Sequence, residues 1–226
     1  METEIRDPSV PWSRKRHLAM CAGAFVALFA AALRGGEVFL MEGKELCSRI
    51  HLGKNDPRGS HVYLPLMGRF KHENGERNLM FALASVSRVS ELPIRECLER
   101  VVFILKREGK DKVVGPAICD SSGYVYSYAK INAEFHLQLG RVRERIPELI
   151  DSNVVIEDRY NLFRSFRRGA TTRAREMKVD PSIVSMNNRW RKSQSRAGSV
   201  PNLPMMDLYT EIQQALLTRI AFSQSL

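Results

Sequence analysis

Between Tyr160 and Ala174 the chain reads YNLFRSFRRGATTRA, which sets Arg164, Arg167 and Arg168 against the small residues Gly169-Ala170-Thr171-Thr172 at the start of an expected helix. Guanidinium forks and the open backbone amides of a first helical turn point at the same anion, so this arrangement suits a phosphate. The surrounding charge indicates what carries that phosphate. Arg159, Arg164, Arg167, Arg168, Arg173, Arg175, Lys178, Arg189, Arg191, Lys192 and Arg196 face only Glu176 and Asp180 across the same stretch. A merely solvated surface interleaves the two signs. The whole chain holds 35 Lys and Arg against 25 Asp and Glu, a formal charge of +10, with a pI near 9.7. That excess favours a polyanionic partner, nucleic acid foremost.

The elements that must position these residues belong to one main domain, because 226 residues at 44% hydrophobic content bury a single sizeable core. Residues 1–13, with Pro8 and Pro11, read as a flexible lead-in, and 14–226 as the domain. A helical pattern runs from Arg14 to about Met41 and breaks at Gly35-Gly36, beside Arg34 and Glu37. Three short strands are expected next, roughly Leu46 to Leu52, His61 to Phe70 and Asn78 to Leu83. The last two are joined by KHENGER, whose Asn74-Gly75 is a hairpin signal. Further helices are expected from Pro93 to about Arg107, from Tyr128 to Ile150 with a break at Pro147, from Arg164 to Met177, and from Asp180-Pro181 to about Asn188. A polar Gly/Pro loop from Arg191 to Pro204 precedes a last helix, Met206 to about Phe222, with Tyr209 near its start. The fold class is therefore α+β, mainly helical, with a small three-stranded antiparallel sheet in the N-terminal third.

Cys21, Cys47, Cys97 and Cys119 are scattered, without CxxC pairs or a Cys/His metal spacing, which fits a reduced intracellular setting and no metal cofactor. The opening METEIRDPSVPW is polar and acidic, unlike a secretory leader. The apolar run from Leu18 to Leu33 would reach only about 24 Å as a helix and is rich in alanine, so it reads as a buried helix and not a membrane span.

Four segments stand in order: Leu33-Arg34-Gly35-Gly36-Glu37; Gly68-Arg69-Phe70-Lys71 entering the hairpin; Arg164-Ser165-Phe166-Arg167-Arg168-Gly169; and Asn188-Arg189-Trp190 followed by Tyr209. Together they resemble the catalytic domain of tyrosine recombinases, the phage integrase family, over nearly the whole chain. The resemblance implies the catalytic-core fold of DNA breaking and rejoining enzymes. It also implies that Arg34 and Arg167 clamp a scissile phosphate, stabilising charge that builds on its oxygens. Glu37 would orient Arg34. Lys71 would be the general acid for the departing 5′-oxygen, Trp190 a hydrogen-bond donor to the phosphate, and Tyr209 the nucleophile forming a 3′-phosphotyrosyl link. Neither ATP nor metal is needed, since the bond energy is conserved in that link. Arg69, Arg168, Arg173, Arg175, Arg189, Arg191 and Lys192 would contact double-stranded DNA, with a tetramer assembled on two sites. Each residue taken singly has a plainer reading as well. Arg34 could close a buried helix and pair with Glu37, Lys71 could be a surface lysine on a turn, Trp190 a core aromatic, and Tyr209 could pack beside Leu208 and Ile212.

The pattern departs from the family in three places. Arg164 stands where many members carry histidine, and a permanently charged guanidinium holds phosphate without accepting the tyrosine proton. The interval from Trp190 to Tyr209 is longer than in simple members, with the loop after Arg191 as an insertion. The separate helical domain that precedes the catalytic one in the family is expected to be missing. Two DNA readings follow, a mobile-element recombinase localised with DNA in nucleus or nucleoid, and a catalytically impaired DNA-binding remnant of one. A basic helical protein that binds RNA or another protein is the third reading, resting on net charge alone.

Overall fold

The long apolar run folds as the central helix. In the computed structural model, which describes residues 1–57, 59–68, 77–88, 90–187 and 219–226, α1 (Glu2–Arg6) is followed by α2 (Trp12–Ala30). Leu18, Met20, Cys21, Ala24, Ala27 and Leu28 of α2 are wholly buried, as befits a helix that is apolar on most of its sides. No helix among the described residues is long and apolar enough to cross a membrane. The segment expected as a flexible lead-in carries α1, whose Glu2 and Glu4 pair with Arg100 and Arg141 while Met1 and Ile5 pack on the core.

α2 ends before the expected break. Ala32 takes a left-handed conformation, φ 47°. Its N–H donates to the Phe29 carbonyl at 3.0 Å and the Leu33 N–H donates to the Leu28 carbonyl at 2.9 Å. This paired closure terminates a helix and turns the chain sharply, although glycine usually occupies the left-handed position. A 3-10 turn, Gly35–Leu40, then leads to α3 (Gly43–Arg49).

The helix α3 corrects the first of the three expected strands. Glu42 accepts the Glu45 N–H at 2.5 Å as an N-cap, Arg49 pairs with Glu45 one turn earlier at 2.6 Å, and Gly43, Leu46, Cys47 and Ile50 are buried at helical spacing. Among the described residues the sheet accordingly has two strands, β1 (His61–Gly68) and β2 (Arg77–Ala84), antiparallel from His61↔Ala84 to Gly68↔Arg77. The Asn74-Gly75 turn lies outside the described residues.

α4 (Ile94–Arg107) begins after Pro93 and packs on α2, burying Leu98, Val101, Val102 and Leu105. The crossing is close at Gly23, where a Cβ would lie 2.4 Å from Cγ2 of Val101. α5 (Tyr128–Arg145) stops before Pro147, and α6 (Ile156–Arg159), α7 (Ser165–Glu176) and α8 (Pro181–Asn187) follow. Residues 219–224 are helical, and Phe222 and Leu226 join Ala32, Ala170, Ala174 and Val184 in a second apolar cluster. Ser223 accepts the Ala84 N–H at 2.7 Å, which seats this end of the chain beside β2.

A polar knot ties α5 to α2. Glu134, almost fully buried, receives Arg14 at 2.6 Å, His17 at 3.0 Å and Gln138 at 2.5 Å, while His17 also meets the Tyr126 hydroxyl at 2.5 Å. Burial pushes the Glu134 carboxyl up, but the hydrogen bonds from His17, Arg14 and Gln138 outweigh it and bring it down to about 2.

Candidate functional site

α7 is anchored to the rest of the molecule by aromatic rings. Phe166, on its first turn, stacks on Phe25 of α2 with centroids 5.2 Å apart and meets Phe135 of α5 at 4.8 Å. The loop leading into α7 is pinned from α5, because Asn132 accepts the Leu162 N–H at 2.9 Å and His136 donates to the Tyr160 carbonyl at 2.8 Å. Asn161 accepts the Arg164 N–H at 3.1 Å through its side chain, and Ser165 accepts the Asn161 N–H at 2.9 Å. The helix start is thus held from both sides.

Against this fixed loop lies the turn after α2. A Cβ on Gly35 would fall 2.6 Å from the Leu162 carbonyl oxygen and 2.8 Å from Cα of Phe163, so only glycine allows the two backbones to approach this closely. That contact brings Arg34 beside α7. Glu37, itself buried, accepts the Arg34 N–H at 2.9 Å and the Arg34 guanidinium at 3.3 Å, closing a capping-box arrangement around the turn. From the other side Arg167 donates to the Ala32 carbonyl at 3.2 Å.

The result is one open cleft of about 940 Å³. Arg34, Arg164, Arg167, Arg168 and Arg175 line it, and Glu37 is the one carboxylate among its described lining residues. Gly36, Leu40, Phe163, Thr171 and Thr172 complete the described walls. Along α7 the residues that face it are 164, 167, 168, 171, 172 and 175, a single helical stripe. Guanidinium groups carry their charge at physiological pH, so the lining of the cleft suits an anion. Across roughly three turns of helix it is longer than one phosphate needs.

Of the residues picked out by the sequence, the structure gathers Arg34, Glu37, Arg164, Arg167, Arg168 and Arg175 at this cleft. Arg173 is not among its lining residues and pairs with Glu176 at 3.3 Å. Lys71, Trp190, Tyr209, Arg69, Arg189, Arg191 and Lys192 lie outside the described residues. Sequence reasoning overlooked Phe163 and read Gly35 only as a helix break, not as the point where two backbones meet, although the order Leu162-Phe163-Arg164 did place an apolar side chain directly beside a cation. Among the described residues no group of His, Cys, Asp and Glu could hold a metal ion. The four cysteines are free and buried. Burial pushes the thiols of Cys47 and Cys97 up to about 11, far from the reactive range.

No family model, no curated protein and no solved structure matches this chain. Its reading therefore rests on the cleft and on the residues that form it.

Proposed function

We propose that the protein is a DNA strand-transfer enzyme of the tyrosine-recombinase kind, with a catalytic core built on the described fold. The observation that carries the reading is the meeting of Arg34 and Arg167, far apart in the sequence, in one cleft with Arg164 and Arg168. Duplex DNA enters with a backbone phosphate between these guanidiniums; those of Arg34 and Arg167, held beforehand by Glu37 and by the Ala32 carbonyl, stabilise added charge on the nonbridging oxygens with little reorganisation. Glu37 holds Arg34 toward that position. Tyr209 releases its phenolic proton to solvent water and attacks phosphorus, forming a phenol–phosphate bond as the bond to the 5′-oxygen breaks; Lys71 protonates that oxygen and Trp190 donates to the phosphate. The free 5′-hydroxyl of a second strand reverses the step, with subunits paired as a tetramer across two sites.

Arg164 supports a second reading. It is exposed in the wall of the cleft and stands at the motif position where many recombinases carry a histidine that could accept the tyrosine proton, a role a guanidinium cannot take. A protein that binds DNA through the same cleft but does not turn over would have this composition. A nicked duplex whose cleaved fragment diffuses away separates the two. The enzyme reading expects a covalent protein–DNA adduct that Tyr209→Phe abolishes while binding persists. The binding-only reading expects none. An adduct that survives in Tyr209→Phe would overturn the choice of nucleophile.

A further inference from the structure

Phe163 is 53% exposed on the rim of the basic cleft, next in sequence to Arg164. Its ring stacks on the half-buried ring of Tyr128, with centroids 4.5 Å apart and planes 24° from parallel. One face of Phe163 is thereby backed. The ring edge borders exposed Gly36, where an added Cβ would come only to 3.7 Å from Cε1, an ordinary contact. The backbone beneath is fixed, since the Phe163 carbonyl receives the Gly35 N–H at 3.5 Å and the Leu162 N–H is held by Asn132. An exposed, backed aromatic ring with little freedom left, beside several guanidinium groups, combines the two parts of a single-strand nucleic-acid site. Cations take the phosphates, and the ring takes the face of a base.

We propose that Phe163, supported by Tyr128, is a stacking platform for a nucleobase of the DNA strand whose phosphate lies among Arg34, Arg164 and Arg167. The proposal rests on the reading of the cleft as a DNA phosphate site and adds to it the state of the strand. A base inside a continuous duplex has both faces covered by its neighbours. The nucleotide beside the bound phosphate is therefore unstacked, as at a nick, a frayed end or an extruded base. Phenylalanine has no polar edge with which to tell one base from another, so the platform accepts any base.

The test uses a short single-stranded DNA carrying 2-aminopurine, its analogue with an abasic site at that position, and a blunt duplex of equal length. The full chain is expected to quench the 2-aminopurine on binding and to bind that strand more tightly than the abasic one. Phe163→Ala should lose about 5- to 100-fold in affinity for the 2-aminopurine strand and lose the quenching. Its affinity for the blunt duplex should fall by less than its affinity for the 2-aminopurine strand, and its salt slope should stay as in the wild type. Phe163→Trp should retain both signals, and Phe163→Leu, which keeps apolar bulk without a π-face, should lose the quenching. Unchanged affinity and quenching in Phe163→Ala, with salt-dependent duplex binding intact, would overturn the platform and leave the phosphate site standing. Binding that ignores salt on every DNA would overturn both.

Discussion

Replacing Gly35 with alanine places a methyl carbon 2.6 Å from the Leu162 carbonyl oxygen, 2.7 Å from its carbon and 2.8 Å from Cα of Phe163. All three neighbours are backbone, so no side chain can swing aside. The loop they belong to is itself held by Asn132 and His136, and the glycine by the closed end of α2. Relief must come from moving the turn that carries Arg34 away from α7. Forcing a methyl group into a packed site costs about 1–3 kcal/mol, and for a chain of this size each kcal/mol lowers Tm by about 2–4 °C. Gly36→Ala is the matched control. Among the described residues its Cβ meets only Cε1 of Phe163, at 3.7 Å, and Gly36 is exposed, so the change should stay within about 0.5 kcal/mol. Thermal unfolding by circular dichroism and DNA binding by anisotropy read the two consequences. Gly35→Ala should melt about 2–12 °C lower and bind DNA more weakly, while Gly36→Ala changes Tm little. Equal melting temperatures for the two variants would refute the close approach of these backbones as what builds the cleft.

Three further outcomes are expected. Glu134→Gln should destabilise the fold by about 1–3 kcal/mol, less than a fully buried pair because Arg14 keeps contact with water. The Glu134 carboxyl is depressed in the folded state, so its stabilisation is fully present above the ordinary value of 4.5 and lost as pH falls toward about 2. In urea unfolding the gap between wild type and variant should narrow over that window, and a constant gap would refute the assignment. The four buried cysteines should resist a thiol reagent at pH 8 and all react in guanidinium; a fast native thiol would contradict the burial of their side chains. Arg175→Ala should lower the slope of log affinity against log salt for DNA by about 0.9, one phosphate contact, and an unchanged slope would remove Arg175 from the DNA path.

Several parts of this molecule were legible because they depend on near neighbours. The helical spacing of Leu98, Val101, Val102 and Leu105 announced α4, Pro93 marked its start, and the two strands flanking Asn74-Gly75 lie close to their expected bounds. The pairing of Arg34 with Glu37 also follows from their spacing of three. The strand expected near Leu46 was misread because a short apolar run fits either period, and it is the cap at Glu42 with the burial of one side that makes it α3.

What the sequence determined by itself is the charge, its concentration around α7 and the arginines that an anion would need. Whether those arginines share a site was for the tertiary structure alone to decide. It depends on Phe25, Phe135 and Phe166 meeting across three helices, on Ala32 turning the chain left-handed without a glycine, and on Gly35 lying flat against Leu162. Each of these joins or redirects segments far apart in the chain. Periodicity and capping act within a few residues, whereas the cleft forms only once distant surfaces have packed.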